Sequence, residues 1–524
     1  MTYARVALTQ AQRFEKGAYM MRSDWLKLKS GSDIRGEAIE HDGIEVQMTD
    51  EMAEAVGFVF AGFLAERLGK TPAELTIAVG RDSRLSGPRL ATAVMRGLTN
   101  ADCDVLDCGL CTTPAMFMTT VNDKTRCDGA IMVTASHLPW TRNGLKLITR
   151  QGGLTGAEIE DILRRAQDTH VMPRLVKRID FLSLYSEQLK DMVRRGLDTD
   201  VALPLLGLHV VVDAGNGAGG FYEKLLRELG ADTEGSQFLE PDGRFPNHIP
   251  NPEERVAMDS LSRAVVSAGA DMGVIFDADC DRAAIVDATG KEINRNRLIA
   301  LIAAILLEEH PGATFVTDSV TSSGLKTFIS EWGGVHYRFK RGYRNVIDEA
   351  IRLNEEGIDC PLAIETSGHA ALRENYFLDD GMYLVTRLVV EAMRRKREGQ
   401  TLGSLIAELK EPVESTEVRL RITAEDFKTA GQAVIDAVLA HTLDDHSWHL
   451  APDNREGVRI SFDLGEGVDN AWFLLRLSLH DPVLPLNAES DVPGGVKAML
   501  SQLYEVIKDC DDVDLKPLKS AIEK

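Results

Sequence analysis

Before residue 412, six short apolar runs each end in a polar or glycine-rich loop, after which a helical pattern takes over. They are "LTIAVGRDSRLSG", "GAIMVTASH", "LHVVVDAGNGAGG", "MGVIFDADCDR", "TFVTDSVTSSGL" and "PLAIETSGH". Runs of four or five apolar residues without alternation fit strands buried on both faces, and the intervening helices supply the crossovers of a parallel sheet. The longest apolar run, "LIALIAAILL" at 298–307, is about half the length that a membrane-spanning helix needs, so it reads as a buried helix. Beyond residue 412 the rhythm changes. The stretches "TEVRLRITA", "GVRISFDL" and "AWFLLRLSL" predict an antiparallel sheet that carries helices.

Punctuation gives four units. The first spans 1–200 and closes with the charged helical stretch "YSEQLKDMVRRGLDTD". The second spans 201–311, ending at the helix break "EEHPGATF". The third spans 312–411, ending near Pro412, and the last spans 412–524.

Composition narrows the class. With 524 residues, 44% hydrophobic and 27% charged, the chain is an ordinary globular protein with room for several cores. Its formal net charge of -22 repels nucleic acid and anionic membrane, so any anionic ligand needs a local cationic site. The seven cysteines, at positions such as Cys103, Cys108, Cys111 and Cys127, show no zinc-type paired spacing and no disulfide framework, and the first thirty residues lack the apolar core of a secretory signal. A cytoplasmic location is expected.

The sharpest chemical pattern is "DADCDR". Asp277, Asp279 and Asp281 alternate at period two, so in extended backbone three carboxylates converge and invite a hard cation such as Mg2+. A solvated acidic turn paired with Arg282 is the plain alternative. "TASH" sets Ser136 beside His137 with no GxSxG elbow, so the hydroxyl needs activation from elsewhere, and a simple turn is the alternative. "KRGYRNV" and the preceding strand concentrate Arg338, Lys340, Arg341 and Arg344, with Gly342 allowing close backbone approach. Arg81 and Arg84 in "GRDSRLSG" and Arg35 in "SGSDIRGEA" are similar anion candidates. "ETSGH" offers Glu365, Ser367 and His369, a mix of donors and acceptors suited to sugar hydroxyls. "GNGAGG" satisfies GxGxxG through Gly215, Gly217 and Gly220, the seed of a rival reading as a dinucleotide-binding oxidoreductase.

Taken in order, "TASHLP", "NGLK", "GNGAGG", "NHIPNPE", "DADCDR" and "ETSGH" resemble the α-D-phosphohexomutase superfamily from about residue 23 to the last domain. The resemblance implies an α/β fold with four domains around a central cleft: three related mixed α/β units and a C-terminal domain of antiparallel sheet and helices that clamps phosphate. It implies that Ser136 carries the transferable phosphoryl group, and that Asp277, Asp279 and Asp281, with a phosphoserine oxygen, hold Mg2+. Arg35, Lys146, His137 and Arg282 then cluster at the reacting phosphate. Arg341, Gly342, Tyr343, Glu365, Ser367, His369, Arg476 and Ser478 become the substrate-binding set. The implied enzyme is a phosphohexose mutase for glucose or mannose phosphates, with glucose 1,6-bisphosphate as an activator and a small sugar phosphate as its partner. A glucose 1,6-bisphosphate synthase and a non-catalytic sugar-phosphate-binding protein are the alternatives.

Two departures from the family pattern stand out. Leu138 replaces the usual Asn of the phosphoserine loop. In the last domain, "RLSLHDP" keeps Arg476 and Ser478, but Leu479, His480 and Asp481 replace small and hydroxyl-bearing residues. Asp481 pointing inward would oppose a phosphate, and protonated His480 would partly offset it.

Overall fold

The computed structural model describes residues 25–169, 177–465, 467–478 and 481–523. The chain forms two compact units. One runs up to Glu292 and takes in Leu378–Arg394, and the other comprises Ile293–Phe377 with Arg395 onward.

In the first unit, Thr76–Arg81 runs parallel to Asp104–Leu110 on one side and Gly129–Val133 on the other, as the apolar runs predict. Gly129–Val133 then turns back through the Ser136 loop into the antiparallel strand Arg142–Thr149, which pairs in turn with Asp33–Glu37. The second sheet repeats this device. Met272–Phe276 is parallel to Val210–Asp213, while the DADCDR loop returns it into antiparallel Ala283–Asp287. Both loops therefore close hairpins instead of leading into crossover helices, a correction to the strand-loop-helix reading. The cause is legible in retrospect: Arg142–Thr149 is buried almost throughout, yet its polar Asn143 and Lys146 disguise it as a loop.

Helices Asp50–Leu68 and Gly87–Asn100 pack closely on this unit's first sheet. The former starts at an N-cap where Thr49 Oγ1 accepts from Met52 N at 3.2 Å, with Asp50 and Glu51 in its first turn. Their close approach depends on glycine, since a Cβ at Gly97 would lie 1.9 Å from the Glu54 carbonyl oxygen. Gly97→Ala, which by helix propensity alone should stabilise by about 1 kcal/mol, is therefore expected to destabilise by roughly 1–3 kcal/mol through overpacking. Urea unfolding followed by circular dichroism measures the sign. A second close approach involves the helix Gly381–Arg397, where a Cβ at Gly381 would stand 2.8 Å from the Arg282 carbonyl carbon, so this glycine seats the helix start directly on the acidic loop.

In the second unit, Thr314–Thr317 is flanked by parallel Val335–Arg338 and Leu362–Ile364. The ETSGH loop again closes a hairpin, with Ala370–Leu372. The predicted apolar helix is Asn296–Glu309, buried from Leu298 through Leu307. Among the described residues, no helix is long and apolar enough to cross a membrane. The last sheet has six strands, and its pairings are antiparallel, as the alternating pattern predicts: Glu414–Ile422 pairs with Val483–Ser490, and Ala471–Leu475 lies between Val483–Ser490 and Val458–Phe462. Helices Phe427–Asp444 and Gly495–Ile507 supply Val434, Ile435, Met499 and Leu503 to the same core as Leu420, Phe473 and Leu486.

Candidate active site

Ser136 sits at the turn of its hairpin with a φ of 55°, the left-handed region that a non-glycine residue occupies only under constraint. It is fully buried, and its Oγ donates to Asp277 Oδ2 at 2.7 Å, with His137 Nδ1 at 3.4 Å. The serine and the first aspartate of the acidic loop, 141 positions apart in the chain, thus share a hydrogen bond. The NGLK segment continues the construction. Asn143 Nδ2 donates to Ser86 Oγ at 2.8 Å, and a Cβ at Gly144 would come within 2.4 Å of the Ile34 carbonyl oxygen, so glycine is needed between its neighbouring strands. Lys146 projects its ammonium onto Asp281, with Asp279 Oδ2 at 3.3 Å.

Asp277, Asp279 and Asp281 are all fully buried, and each offers a carboxylate oxygen within 4.8 Å of the others. Burial, then the charges of Asp279 and Asp281, pushes the Asp277 carboxyl well above the usual carboxylate range. Asp279 Oδ1 is buried with no hydrogen-bond partner among the described residues. Hard oxygen donors, an excess of negative charge and an unsatisfied buried oxygen together fit a small divalent cation. Thr113 braces this loop from outside: its Oγ1 donates to Asp279 Oδ2 at 2.6 Å and its backbone N–H to the Asp279 carbonyl at 2.8 Å. Arg35 donates through Nη2 to Asp33 at 2.6 Å. Burial works against its charge, but Asp33, with Asp279 and Asp281 beyond it, raises its pKa above the ordinary guanidinium value. Arg282 lies 3.8 Å from Glu253, and its backbone N–H donates to Asp277 Oδ1 at 3.2 Å. Ser136, His137, Lys146, Arg35, Arg282 and the three aspartates are therefore brought together within the first unit.

The second unit gathers the remaining candidates. Gly342, with a φ of 115°, precedes the helix Tyr343–Glu355, and its N–H donates to Glu365 Oε1 at 2.6 Å. Tyr343 stacks on His369 with ring centroids 5.3 Å apart. The Ser367 hydroxyl and Arg476 Nε are buried without hydrogen-bond partners among the described residues, which leaves polar groups for a ligand to satisfy. Ser478 Oγ accepts from Asp481 N at 3.3 Å, and Asp481 itself is exposed. Leu479 and His480 lie outside the described residues. Burial, then Asp318, pushes Glu365 up to about 7. Because this carboxyl binds its proton more tightly folded than unfolded, its stabilising contribution is complete below the ordinary glutamate range near 4.5 and is lost as pH rises through about 7. Glu365→Gln, which mimics the protonated form, is therefore expected to melt like the parent at pH 5 and several degrees higher at pH 8.5. Scanning calorimetry at the two pH values checks it.

Three sequence expectations change. Arg84 is fully buried and turned onto Asp82 and backbone carbonyls instead of facing an anionic ligand. Arg338 is likewise committed, with Asp453 at 2.6 Å and the Ser322 carbonyl at 2.8 Å. In GNGAGG the glycines serve packing: a Cβ at Gly217 would meet the Ala278 backbone at 2.7 Å, inside the acidic loop, and one at Gly220 would meet the Leu239 carbonyl oxygen at 1.9 Å. Sequence reasoning passed over Thr113, and also over Glu456, whose Oε2 accepts from Ser319 Oγ and from Arg341 N at 3.1 Å. No local signal marks either, because each gains its role from a partner more than 100 positions away.

Residues 27–170, 184–290 and 294–413 match, in order, the α/β/α domains I, II and III of phosphoglucomutase/phosphomannomutase. The chain belongs to the phosphoglucomutase/phosphomannomutase family, within the α-D-phosphohexomutase superfamily. A phosphomannomutase/phosphoglucomutase of Pseudomonas putida is 32% identical over 80% of this chain and 84% of its own length. A phosphomannomutase of Salmonella montevideo is 32% identical over 91% of this chain and 97% of its own. The crystal structure of a phosphoglucomutase/phosphomannomutase family protein from Burkholderia thailandensis superposes with a TM-score of 0.76 at 27% identity, covering 93% of this chain and 98% of that one. Membership makes the chain a phosphohexose mutase, an isomerase that works as an intramolecular phosphotransferase. It also removes the dinucleotide reading of GNGAGG.

Proposed function

We propose that this mutase interconverts hexose 1-phosphate and hexose 6-phosphate, with glucose or mannose as the sugar, through phospho-Ser136 and a hexose 1,6-bisphosphate. In the first half-reaction the bond between phosphorus and Ser136 Oγ breaks, the bond between phosphorus and the sugar O6 forms, and the proton of that sugar hydroxyl passes to the freed Ser136 Oγ. The bisphosphate then turns end for end, and its C1 phosphate returns to Ser136 Oγ as its bond to O1 breaks and the serine proton passes to O1. The observation that carries this reading is the Ser136 Oγ, enclosed and 2.7 Å from Asp277.

A divalent cation such as Mg2+, held by Asp277, Asp279, Asp281 and an oxygen on Ser136, would neutralise charge on the phosphoryl group. Around it, buried Lys146 and partly buried Arg35 supply fixed positive charge, and the removal of water strengthens each interaction. His137, 3.4 Å from Ser136 Oγ, is placed to hold the hydroxyl proton. Arg282 keeps the acidic loop in its turn through the N–H it gives Asp277. Glu365 and Ser367 hold sugar hydroxyls. Arg341, Gly342, Tyr343, His369, Arg476 and Ser478 receive the phosphate that is not reacting.

The test is a coupled assay on glucose, mannose and glucosamine 1-phosphates, with and without glucose 1,6-bisphosphate, alongside the intact mass of the chain. The reading expects one phosphate on Ser136, turnover of the glucose or mannose substrate, and activation by the bisphosphate. Accumulation of bisphosphate as end product, or turnover with no phosphate on Ser136, rejects it.

A further inference from the structure

The strongest unassigned construction in the first unit lies behind Ser136. Arg84 follows the strand Thr76–Arg81 and is fully buried. Each of its five side-chain N–H groups has a partner: Nε donates to Asp82 Oδ2 at 3.0 Å, Nη1 to the carbonyls of Pro139 and Arg142 at 2.9 Å each, and Nη2 to those of Ser136 and Leu138. Four carbonyls of one short loop thus converge on a single planar fork, and the Phe245 ring covers the guanidinium at 5.3 Å. Asp82 completes the hold from the other end. It accepts from Arg84 N at 3.0 Å and from Thr134 Oγ1 at 2.7 Å, and that same Thr134 oxygen accepts the Ser136 N–H at 2.9 Å.

The carbonyl of Ser136 is therefore tied to Arg84 and its N–H, through Thr134, to Asp82. A left-handed residue without glycine's freedom costs on the order of 1 kcal/mol, and it persists only where its surroundings over-determine it. Ser136 is such a residue, and both of its peptide groups are held from one side. None of the five N–H groups is left over for substrate, so Arg84 acts only through the loop.

We propose that Arg84 is the positioning residue of the Ser136 loop: its fork fixes the loop carbonyls so that Ser136 keeps its left-handed backbone and its Oγ stays trained on Asp277. The proposal rests on the reading of Ser136 as the phosphoryl carrier. It separates Arg84 from the residues that touch the reacting phosphate, and it gives "GRDSR" a role that its basic composition does not suggest. Lysine cannot replace it. An ammonium keeps the charge beside Asp82, but its three tetrahedral donors cannot serve four carbonyls and a carboxylate at once.

The experiment uses the full-length enzyme with Mg2+ and compares Arg84→Lys with the parent. First, intact mass must show phospho-Ser136 in the parent, and its absence defeats the reading of Ser136 without bearing on the loop geometry. Given that, Arg84→Lys is expected to lower kcat about a hundredfold, the scale of a catalytic group misplaced by an ångström. KM for hexose 1-phosphate should change by less than about threefold, since the substrate-binding set is untouched. Single-turnover loss of phosphate from Ser136 should slow by the same factor as kcat. Hydrogen exchange should rise in the peptide covering 131–147 while that covering 210–230 stays protected. A kcat within twofold of the parent overturns the proposal, as does exchange that rises across the whole unit or a variant that does not fold, because Arg84 would then support the fold at large and not the loop.

Discussion

Ser136→Ala is expected to abolish conversion of hexose 1-phosphate to 6-phosphate, by about a millionfold in kcat, the scale seen when an enzyme loses its covalent nucleophile. The loss should be chemical and not structural. The hydroxyl makes one hydrogen bond, to Asp277, and a neighbouring ring nitrogen lies at the outer limit of bonding distance. Leaving the buried Asp277 oxygen without this donor costs about 1–3 kcal/mol, and alanine meets the same positive φ as serine. Melting temperature should therefore stay within a few degrees of the parent. The same variant should carry no covalent phosphate, by intact mass, after incubation with glucose 1,6-bisphosphate. Retention of more than about a hundredth of parental turnover, measured on protein freed of contaminating mutase, would falsify the assignment.

Lys146→Met should have the largest effect on stability, and one that depends on metal. The Lys146 ammonium is buried against Asp281 and lies 3.3 Å from Asp279, in a site where Asp277 is also enclosed. Taking away one partner of a buried ion pair while leaving the other costs roughly 3–5 kcal/mol. The methionine keeps the length of the side chain, so most of that cost is electrostatic. A divalent cation answers the same carboxylates, and ligand binding to the folded state adds stability by mass action. The variant should therefore melt well below the parent in EDTA, and the rise in melting temperature on adding Mg2+ should be larger for the variant than for the parent. Equal rises would show that Lys146 and the cation do not share a charge account. Turnover should also fall, because the transferring phosphoryl group loses a fixed positive neighbour.

Much of this protein was legible along the chain. The buried helix at 298–307, the antiparallel character of the last sheet and the polar loops at strand ends all follow from apolar periodicity, because burial on two faces, one face or all round leaves distinct local patterns. The three aspartates were visible as an acidic triplet, but extended backbone is not what gathers them: the loop is a turn with Cys280 at a φ of 67°, and this turn brings their carboxylate oxygens within 4.8 Å of one another. Family resemblance then supplied the pairing of Ser136 with that loop.

Tertiary structure decided what local pattern cannot carry. Arg84, Arg338 and Arg341 look alike in sequence, each a cation beside a strand end. Only packing determines that the first grips loop carbonyls, the second meets Asp453, and the third presents its backbone N–H to Glu456. The glycines of GNGAGG fit a dinucleotide pattern, yet what they permit is the approach of one loop to Ala278 and Leu239. Hairpin or crossover, likewise, is settled by whether the segment after a loop finds partners for its Asn and Lys inside the protein. The chain by itself determined the apolar strands and helices that are buried and the polar loops that join them. Which group answers which, across 58 to 141 positions, was fixed only when folding removed water from between them, because a charge or a carbonyl has no preferred partner until it has lost its solvent.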